Sequence, residues 1–370
     1  CGNYSILFLL NCIIDTLLHQ HLNNMPNNEE NKERRIKDLL GLVKFCLEAT
    51  KNEDAPGSTN FEAMDPDRRA WLQRAIESMT VDTTKQLLEN LATIKETIVL
   101  MEKDPTHNVP VQRTCNAISV LTDLCEEIDY AGDFAKLDGF SIFKPLIDSA
   151  HEEMIIKACE LIAALAQNNP LCQNMAVQTR LLEQLLDFVA IKEDQTRIKA
   201  RSYALYAISS IVRSNPEVRR HFESQLDGLS VILNILKHQP IDNLMNDNKC
   251  WWRKLRIRSV FLFRTLCSES ERASDYFFQK QVIKDISNQI QVTQDLEIRE
   301  HLLYALKAFL SSLDTTKQRD AIKLTPELRN IIERIQKEPP SGDEYDMTDT
   351  RSICKELLDL ITSDYNTKSI

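Results

Sequence analysis

Glycine is scarce in this sequence, with 7 in 370 residues, about 2% where about 7% is usual. Tight hairpin turns depend heavily on glycine, so few β-strands are expected. The scarcity also excludes phosphate-binding loops, because neither GxxxxGK nor GxGxxG can be written from these glycines. Leu, Ile, Ala, Glu, Lys and Gln are abundant instead, and this surplus of helix formers predicts an all-α chain.

Signatures of catalysis and of metal binding are missing as well. The 7 histidines form neither HExxH nor another paired ligand spacing. No G-x-S-x-G turn and no cysteine–histidine protease signature is present. We therefore expect a protein that is not an enzyme and that has no metal and no cofactor.

Cysteine spacing and net charge limit the compartment and the partners. The 10 cysteines form no C-x-x-C pair and are scattered along apolar helix faces, which is typical of reduced core thiols in a cytoplasmic protein. The formal net charge is −10, which disfavours nucleic acid and anionic membranes, since both attract Lys and Arg. We expect a cytoplasmic monomer that binds neither.

The first residues contain an apolar run from Tyr4 to Leu18. It matches a signal peptide poorly, because it lacks a basic start, contains Asp15 and has no small-residue cleavage site. Met25-Pro26 opens a polar segment that resembles a translation start. We interpret residues 1–24 as a non-native or disordered leader.

The rest of the chain divides into four predicted regions. Residues 25–60 are a flexible segment with one amphipathic helix, and residues 61–112 are an N-terminal helical cap. Residues 113–336 contain the repeats described below. Residues 337–370 are an acidic linker followed by a C-terminal helix, predicted over 350–362.

Five long apolar helices recur along residues 113–336. Equivalent positions in these helices are 41, 46, 55 and 44 residues apart; they are Leu124, Leu165, Ile211, Leu266 and Leu310. Armadillo and HEAT repeats have periods of roughly 40 to 47 residues, so three gaps fit and the longest implies an insertion, visible at residues 240–252. Such helices bury their apolar stripes by stacking on one another. The sequence predicts an armadillo-like α-solenoid of about four to five repeats with helical caps at both ends.

A second internal similarity supports this repeat. The segment LDGFSI at residues 137–142 recurs as LDGLSV at residues 226–231. We predict that the glycine of each copy adopts a left-handed turn between two helices, as a three-helix repeat requires.

Basic residues open several of the repeat helices. Arg253, Lys254, Arg256 and Arg258 place four positive charges within six residues, which could attract an acidic partner to the concave face of a solenoid. A solvated helix start is the simpler interpretation. The neighbouring Trp251 and Trp252 are either core residues at a repeat junction or anchors of a binding hot spot, and the sequence favours the core.

An acidic turn, EEIDYAGDF at residues 126–134, ends the first clear repeat helix, predicted over 113–129. Glu126, Glu127 and Asp129 would then lie at the negative end of the helix dipole, which is unfavourable. Such a local cost indicates a binding role, although a polar helix end without a partner explains the pattern equally well.

Four segments together carry a family resemblance: DLLGLVKFCLEAT, FEAMDPDRRAWLQRAIESM, LTDLCEEIDYAGDFAKLDGF, and ALYAISSIVRSNP followed by LDGLSVIL. With these segments the sequence resembles the heat-shock-protein-70-binding protein, Fes and Sil family of nucleotide exchange factors. The quoted segments lie between residues 38 and 233, and the resemblance extends over roughly residues 36–313. The cytosolic branch fits better, because the C-terminus is not a KDEL-type signal. The resemblance implies an armadillo domain whose concave face wraps one lobe of the ATPase domain of a heat shock protein 70 chaperone and speeds ADP release. It also makes residues 26–60 a candidate mimic of chaperone substrates.

The resemblance also implies contact residues. Asp129 and Ala131 match contacts of the acidic turn, and Arg258 matches a basic contact of a later repeat. One departure is Tyr203, which stands where the family usually has a basic residue. The full set of predicted partner contacts is Glu127, Asp129, Ala131, Phe134, Arg197, Lys199, Arg201, Arg256, Arg258 and Arg299.

The main alternative is a generic armadillo adaptor that binds extended peptides. Such adaptors line their groove with recurring tryptophans and asparagines. Here Trp71, Trp251 and Trp252 do not recur at the repeat period, so the sequence favours the exchange factor.

Overall fold

The computed structural model describes residues 83–103, 109–190, 197–238, 246–338 and 347–366. The predicted leader, the flexible segment and most of the N-terminal cap lie outside these ranges. Within them the regular elements are helical and no strand occurs, as the scarcity of glycine predicts.

The described helices follow one another through short turns. In chain order they are α1 (Thr83–Lys103), α2 (Val111–Cys125), α3 (Ile128–Lys136), α4 (Phe143–Ile147), α5 (Glu152–Ala166), α6 (Pro170–Gln178), α7 (Leu181–Val189), α8 (Ile198–Val212), α9 (Pro216–Ser224), α10 (Gly228–Lys237), α11 (Asn246–Glu269), α12 (Glu271–Gln279), α13 (Val282–Val292), α14 (Leu296–Ser312), α15 (Thr315–Lys323), α16 (Leu328–Gln336) and α17 (Thr348–Asn366). A 3-10 turn, Gly139–Ile142, precedes α4.

The helices form three-helix repeats, each made of a short first helix, a second helix and a longer third helix. The third helices, α5, α8, α11 and α14, pack against one another in series, with α2 at one end and α17 at the other. This series is called the third-helix layer. An all-α armadillo-like solenoid is therefore the fold, as the repeat period predicted.

The first helices begin at polar residues that recur with the repeat. Asn169, Asn215, Ser270 and Asp314 lie 46, 55 and 44 residues apart, and each accepts hydrogen bonds from backbone amides of its own first turn. Asn169 and Asn215 are followed by proline at the first helical position, where the missing amide proton has no cost. This local chemistry sets the register of the repeats.

The left-handed residue of the LDG turn is the aspartate rather than the glycine. Asp138 has φ 56° and Asp227 has φ 51°, so the prediction that assigned this conformation to the glycine was wrong. Aspartate tolerates the left-handed region better than most side chains do. Gly139 and Gly228 serve packing instead, because an added Cβ would lie 2.5 Å from Phe134 and 2.4 Å from Phe222.

The longest repeat gap corresponds partly to a longer third helix. Helix α11 has 24 residues, whereas α5 and α8 have 15 each. Its extra N-terminal turns contain Trp251 and Trp252. Residues 240–245, the rest of the predicted insertion, lie outside the described ranges.

The six buried cysteines of the described ranges belong to the core. Burial raises the pKa of Cys125 to about 12 and that of Cys172 to about 11. These thiols stay protonated near neutral pH and behave as small apolar residues. Cys250, near the start of α11, is exposed.

Candidate partner-binding surface on the third helices

Aromatic and basic side chains cover the solvent-facing side of α8 and α11. Residues 199, 203 and 206, like residues 254, 258 and 261, are three or four apart, so each set shares one side of its helix. We call the following set the basic aromatic strip: Lys199, Tyr203, Tyr206, Arg213, Trp251, Lys254, Arg258, Phe261, Arg264 and Tyr304. None of these side chains is fully buried.

Arg258 lies at the centre of the strip and joins α8 to α11. Its guanidinium carbon is 5.0 Å from the ring centre of Tyr203 and 5.2 Å from that of Tyr206. One nitrogen also donates a hydrogen bond to Ser202 Oγ at 2.9 Å. Burial lowers the pKa of Arg258, and the neighbouring Tyr203 and Tyr206 act in the opposite direction. The guanidinium remains charged at physiological pH.

The two adjacent tryptophans have different environments. Trp252 is 1% exposed and stacks on His238, with ring centres 5.4 Å apart, so it belongs to the core. Trp251 is half-buried on the strip. The ammonium groups of Lys254 and Lys199 lie 4.2 Å and 5.3 Å from its ring centre. The core interpretation therefore holds for Trp252 and not for Trp251.

A second aromatic and arginine cluster lies closer to the C-terminal ends of these helices. The guanidinium groups of Arg213 and Arg264 lie 5.4 Å and 5.5 Å from the ring centre of Phe261. Arg264 also lies 5.8 Å from the ring centre of Tyr304 on α14. The strip thus extends across three successive third helices.

The strip is basic although the chain as a whole is acidic. Helix α8 contains no acidic residue. Among the side chains described for α11, the one carboxylate is that of Glu269, and it pairs with Arg219. Since the net charge of the chain is −10, the strip would attract an acidic surface that the rest of the molecule repels.

Three arginines predicted as partner contacts are buried instead. Arg201, Arg256 and Arg299 are 6%, 7% and 8% exposed. Arg256 donates to Gln289 Oε1 at 2.6 Å, and Arg299 donates to Glu338 Oε2 at 2.6 Å and to the Thr293 carbonyl at 3.0 Å. Arg256 and Arg299 thereby hold repeat helices together, and none of the three side chains offers an exposed contact.

The four positive charges predicted to form one cluster at residues 253–258 do not share one face of α11, and helix geometry explains why. Arg256 and Arg258 are two residues apart, which corresponds to about 200° around a helix, so they point to opposite sides. The charge of Arg253 is also paired within the protein, because its guanidinium forms ion pairs with Asp295 and Glu297 near the start of α14. Lys254 and Arg258 are the members that contribute to the strip.

Arg197 and Lys199 also differ in role. Arg197 precedes α8 with φ 55°, and its guanidinium donates to the carbonyls of Ser149 at 3.1 Å and Ala150 at 3.3 Å. It thereby ties two successive repeats together. Lys199 is exposed on the strip.

The acidic turn is a break between two helices rather than one helix end. Helix α2 ends at Cys125 and α3 begins at Ile128, so Asp129 lies in the first turn of α3. A carboxylate is favourable there, and the predicted dipole cost at Asp129 was wrong. Glu127 and Asp129 are exposed, and Ile128 between them is 64% exposed.

Ala131 and Phe134 of the same turn lie in the core. They are 1% and 0% exposed, and the ring of Phe134 lies 6.0 Å from those of Phe140 and Phe143. Their side chains therefore stabilise α3 and the 3-10 turn. Glu127 and Asp129 remain the exposed candidates of this turn.

Sequence reasoning missed half of the strip, including Tyr206, Phe261 and Arg264. Two signals could have identified them. Phe261 and Arg264 follow Arg258 at intervals of three, which keeps them on one helix face. Tyr206 and Phe261 are 55 residues apart, the same separation as Ile211 and Leu266.

Two features are absent from the part of the chain that the structure describes. Residues 83–103, 109–190, 197–238, 246–338 and 347–366 contain no group of three or more His, Cys, Asp or Glu side chains placed to hold a metal ion. In the same ranges no helix combines the length and apolar content needed to cross a bilayer.

Comparison with known proteins identifies relatives in sequence and in fold. Residues 130–303 match the family model of the SIL1/FES1/HPBP1 C-terminal domain. Hsp70-binding protein 1 of Homo sapiens is 27% identical over 240 residues, covering 63% of this chain and 61% of that protein. The Hsp70 nucleotide exchange factor FES1 of Mycosarcoma maydis is 27% identical over 172 residues, covering 46% of this chain and 39% of that protein. The chain thus spans about three fifths of the length of the first of these relatives.

Solved structures agree with the fold. A designed armadillo repeat protein in complex with the peptide (KR)4 superposes with a TM-score of 0.55 at 14% identity, covering 74% of this chain and 99% of that one. The matched family region, residues 130–303, contains the whole of α8 and α11, which carry most of the strip. Residues 130–303 are thus similar to the SIL1/FES1/HPBP1 C-terminal domain, and all of the basic aromatic strip except Tyr304 lies within this matched region.

Proposed function

We propose that this chain is a co-chaperone that binds the ATPase domain of a cytosolic Hsp70 through its basic aromatic strip, on the concave face of the solenoid, and accelerates ADP release. The observation that carries the proposal is the family match over residues 130–303. Relatives in that family are named Hsp70-binding protein 1, Hsp70 nucleotide exchange factor FES1 and Nucleotide exchange factor SIL1.

The chemistry of the strip supports a protein partner. Binding hot spots are enriched in Trp, Tyr and Arg, and the strip contains Tyr206, Trp251 and Arg258 on rigid helices. Its positive charge would steer an acidic surface into place and set its orientation. A partner face with carboxylates beside apolar side chains fits this strip best.

Exchange requires no bond making by this chain. If the strip binds the open, nucleotide-free form of the ATPase domain more tightly than the ADP-bound form, ADP affinity falls by the same factor. A hundredfold loss of ADP affinity corresponds to about 2.7 kcal/mol of differential binding. A few well-packed contacts can supply that amount, so the chain acts as a binding protein and not as a catalyst.

We propose that the chain acts in the cytoplasm and as a monomer. FES1 relatives and the buried, protonated thiols support a reducing compartment. The acidic net charge supports a role without nucleic acid or membrane.

The test is stopped-flow release of a fluorescent ADP analogue from a cytosolic Hsp70. The unmodified chain should accelerate release. Tyr206→Ala removes a ring that is 38% exposed and should lower the second-order rate constant about tenfold, as expected for a hot-spot residue. Leu171→Ala is the matched control, since Leu171 is 52% exposed on the first helix α6, outside the strip.

The outcomes separate the function from the site. No acceleration by the unmodified chain would reject the exchange factor. Full activity of both Tyr206→Ala and Arg258→Ala would reject the strip as the binding surface while leaving the function intact. Equal loss in Leu171→Ala would also reject the strip, because the effect would then not be local.

A further inference from the structure

The C-terminal ends of α11 and α14 enclose an open groove of about 540 Å³ at the edge of the strip. Two bases, Arg264 and Lys307, line it together with Tyr304 and the hydroxyl-bearing Ser268 and Ser311. No carboxylate lines this groove. The groove therefore combines positive charge with three serines, since Ser312 also lines it.

Two of these serines, Ser268 and Ser311, have the same local arrangement with a basic residue, although the repeat spacing between α11 and α14 is 44 residues. Ser268 and Ser311 are 43 residues apart, as are Arg264 and Lys307. Each base stands four residues before its serine, so base and serine lie on the same face of their helix. Three residues after each serine stands a carboxylate, Glu271 after Ser268 and Asp314 after Ser311.

Both serines are accessible to another protein. Each is exposed and is the residue before the last of its helix, since α11 ends at Glu269 and α14 ends at Ser312. The last turn of a helix frays readily, which allows the extended conformation that an enzyme cleft requires. An acidic residue at the third following position would be attracted to a kinase with a basic substrate cleft.

We propose that Ser268 and Ser311 are phosphorylation sites of an acid-directed serine kinase, and that their phosphates bind to Arg264 and Lys307 in this groove and neutralise this end of the strip. In each transfer the bond between the γ-phosphorus of ATP and the ADP oxygen breaks and a bond to the serine Oγ forms. The hydroxyl proton passes to the base of the kinase, and ADP leaves.

Phosphorylation would change the contacts of the two cationic side chains, Arg264 and Lys307. A phosphoserine carries about −1.5 to −2 charges at pH 7 and pairs strongly with arginine and lysine. Arg264 would turn from the rings of Phe261 and Tyr304 towards phosphoserine 268. Lys307, which pairs with Glu356 of α17, would be shared with phosphoserine 311. The strip would then lose its positive charge at this end and attract an acidic partner less strongly.

The first experiment does not depend on a chaperone. The full chain is incubated with an acid-directed serine kinase and ATP, and phosphates are mapped by mass spectrometry. Phosphorus NMR then follows the titration of each phosphoserine in the unmodified background and in Arg264→Gln and Lys307→Gln. We expect phosphate on both serines, and a phosphate pKa that is lower in the unmodified background than in the variant lacking the adjacent base.

Two results would overturn the proposal at this stage. One is the absence of phosphate from both serines after exhaustive treatment. The other is a phosphate titration that neither Arg264→Gln nor Lys307→Gln alters, because the phosphates would then not bind in the groove.

The second experiment rests on the proposed function. The doubly phosphorylated chain should accelerate ADP release about tenfold less than the unmodified chain, as expected from loss of hot-spot contacts. Ser224→Glu is the matched control, since Ser224 is also exposed at a helix end with an acid, Asp227, three residues later. It lies on α9, outside the groove, and should not change the rate.

A failure of the proposed function can be distinguished from a failure of the proposed phosphorylation. An unmodified chain that does not accelerate ADP release removes the proposed function, while the mapping and titration still decide whether the phosphates bind in the groove. A phosphorylated chain as active as the unmodified one overturns the regulatory effect.

Discussion

The guanidinium carbon of Arg258 lies 5.0 Å from the ring centre of Tyr203, so a cation of α11 rests on an aromatic residue of α8. The two residues occupy equivalent positions of successive third helices, 55 residues apart. A basic residue at position 203 would repel Arg258, whereas the tyrosine attracts it. Tyr203 therefore lets equivalent positions of two repeats bind each other.

Replacing Arg258 with lysine should weaken this contact between repeats. Lysine keeps the charge but loses the planar group that lies over both Tyr203 and Tyr206. We expect Arg258→Lys to lower the free energy of unfolding by about 0.5–1 kcal/mol in urea titrations. Lys249→Ala, at an exposed position near the start of the same helix, should change it by less than about 0.5 kcal/mol. Equal losses in both variants would contradict this role.

Alanine at the LDG glycines should be destabilising. A Cβ at Gly139 would lie 2.5 Å from the ring of Phe134, and one at Gly228 would lie 2.4 Å from that of Phe222. Each substitution should cost about 1–3 kcal/mol of unfolding free energy, because a packed ring must move. Chemical denaturation followed by circular dichroism measures this loss.

Gly132 provides the opposite case for comparison. It lies inside α3, and an added Cβ meets nothing within 4 Å. Alanine there should stabilise the chain by about 0.5–1 kcal/mol, since glycine is a poor helix residue. Destabilisation at all three positions alike would show that close packing is not what distinguishes Gly139 and Gly228.

The asparagines that begin the first helices should each contribute to stability. Asn215 Oδ1 accepts hydrogen bonds from the amides of Glu217 and Val218, both at 3.2 Å. Asn215→Ala should lower the unfolding free energy by about 0.5–2 kcal/mol. Glu127 precedes α3 at the matching position but its side chain caps no amide, so Glu127→Ala should leave the denaturation midpoint nearly unchanged. A comparable loss in Glu127→Ala would contradict the capping argument.

The pairing of Asp295 with Arg253 should make stability depend on pH. Burial alone would raise the pKa of Asp295, but hydrogen bonds from Arg253 and from the Ile298 amide outweigh it and lower the pKa. A carboxyl group with a lowered folded-state pKa stabilises the fold above its unfolded pKa of about 3.9 and loses this effect as pH falls through the folded pKa. Stability from Asp295 should therefore be full at pH 7 and vanish in strong acid.

Asp295→Asn isolates this effect, because asparagine is also a good helix cap and keeps the acceptor for Ile298. The variant should be less stable than the unmodified chain at pH 7, and the gap should close below about pH 4. In an Arg253→Ala background the same substitution should have a much smaller effect. A gap that persists unchanged at low pH would contradict the ion pair as its cause.

Local signals in the sequence were sufficient to predict the repeat architecture. Asn169-Pro170 and Asn215-Pro216 place a capping residue and a proline where first helices begin. The apolar period of the third helices required no knowledge of their neighbours. Both signals act within a few residues, and for this reason sequence reasoning reached the architecture.

The positions of individual side chains were harder to predict. Arg256 and Arg258 look alike in sequence, and helix geometry alone shows only that they face opposite sides. Which side meets Gln289 and which side stays on the surface depends on how α11 packs between α8 and α14. Likewise, EEIDYAGDF reads as one helix end, whereas the structure separates it at Glu126 and Glu127.

By itself the sequence determined that this chain is helical, repetitive and stacked, because helix propensity, capping and apolar period are properties of short segments. The tertiary structure decided which charges are exposed. Arg201, Arg256 and Arg299 are buried while Lys199, Lys254 and Arg258 reach the surface. Exposure depends on the neighbouring helices that cover a side chain, and those neighbours come from repeats tens of residues away.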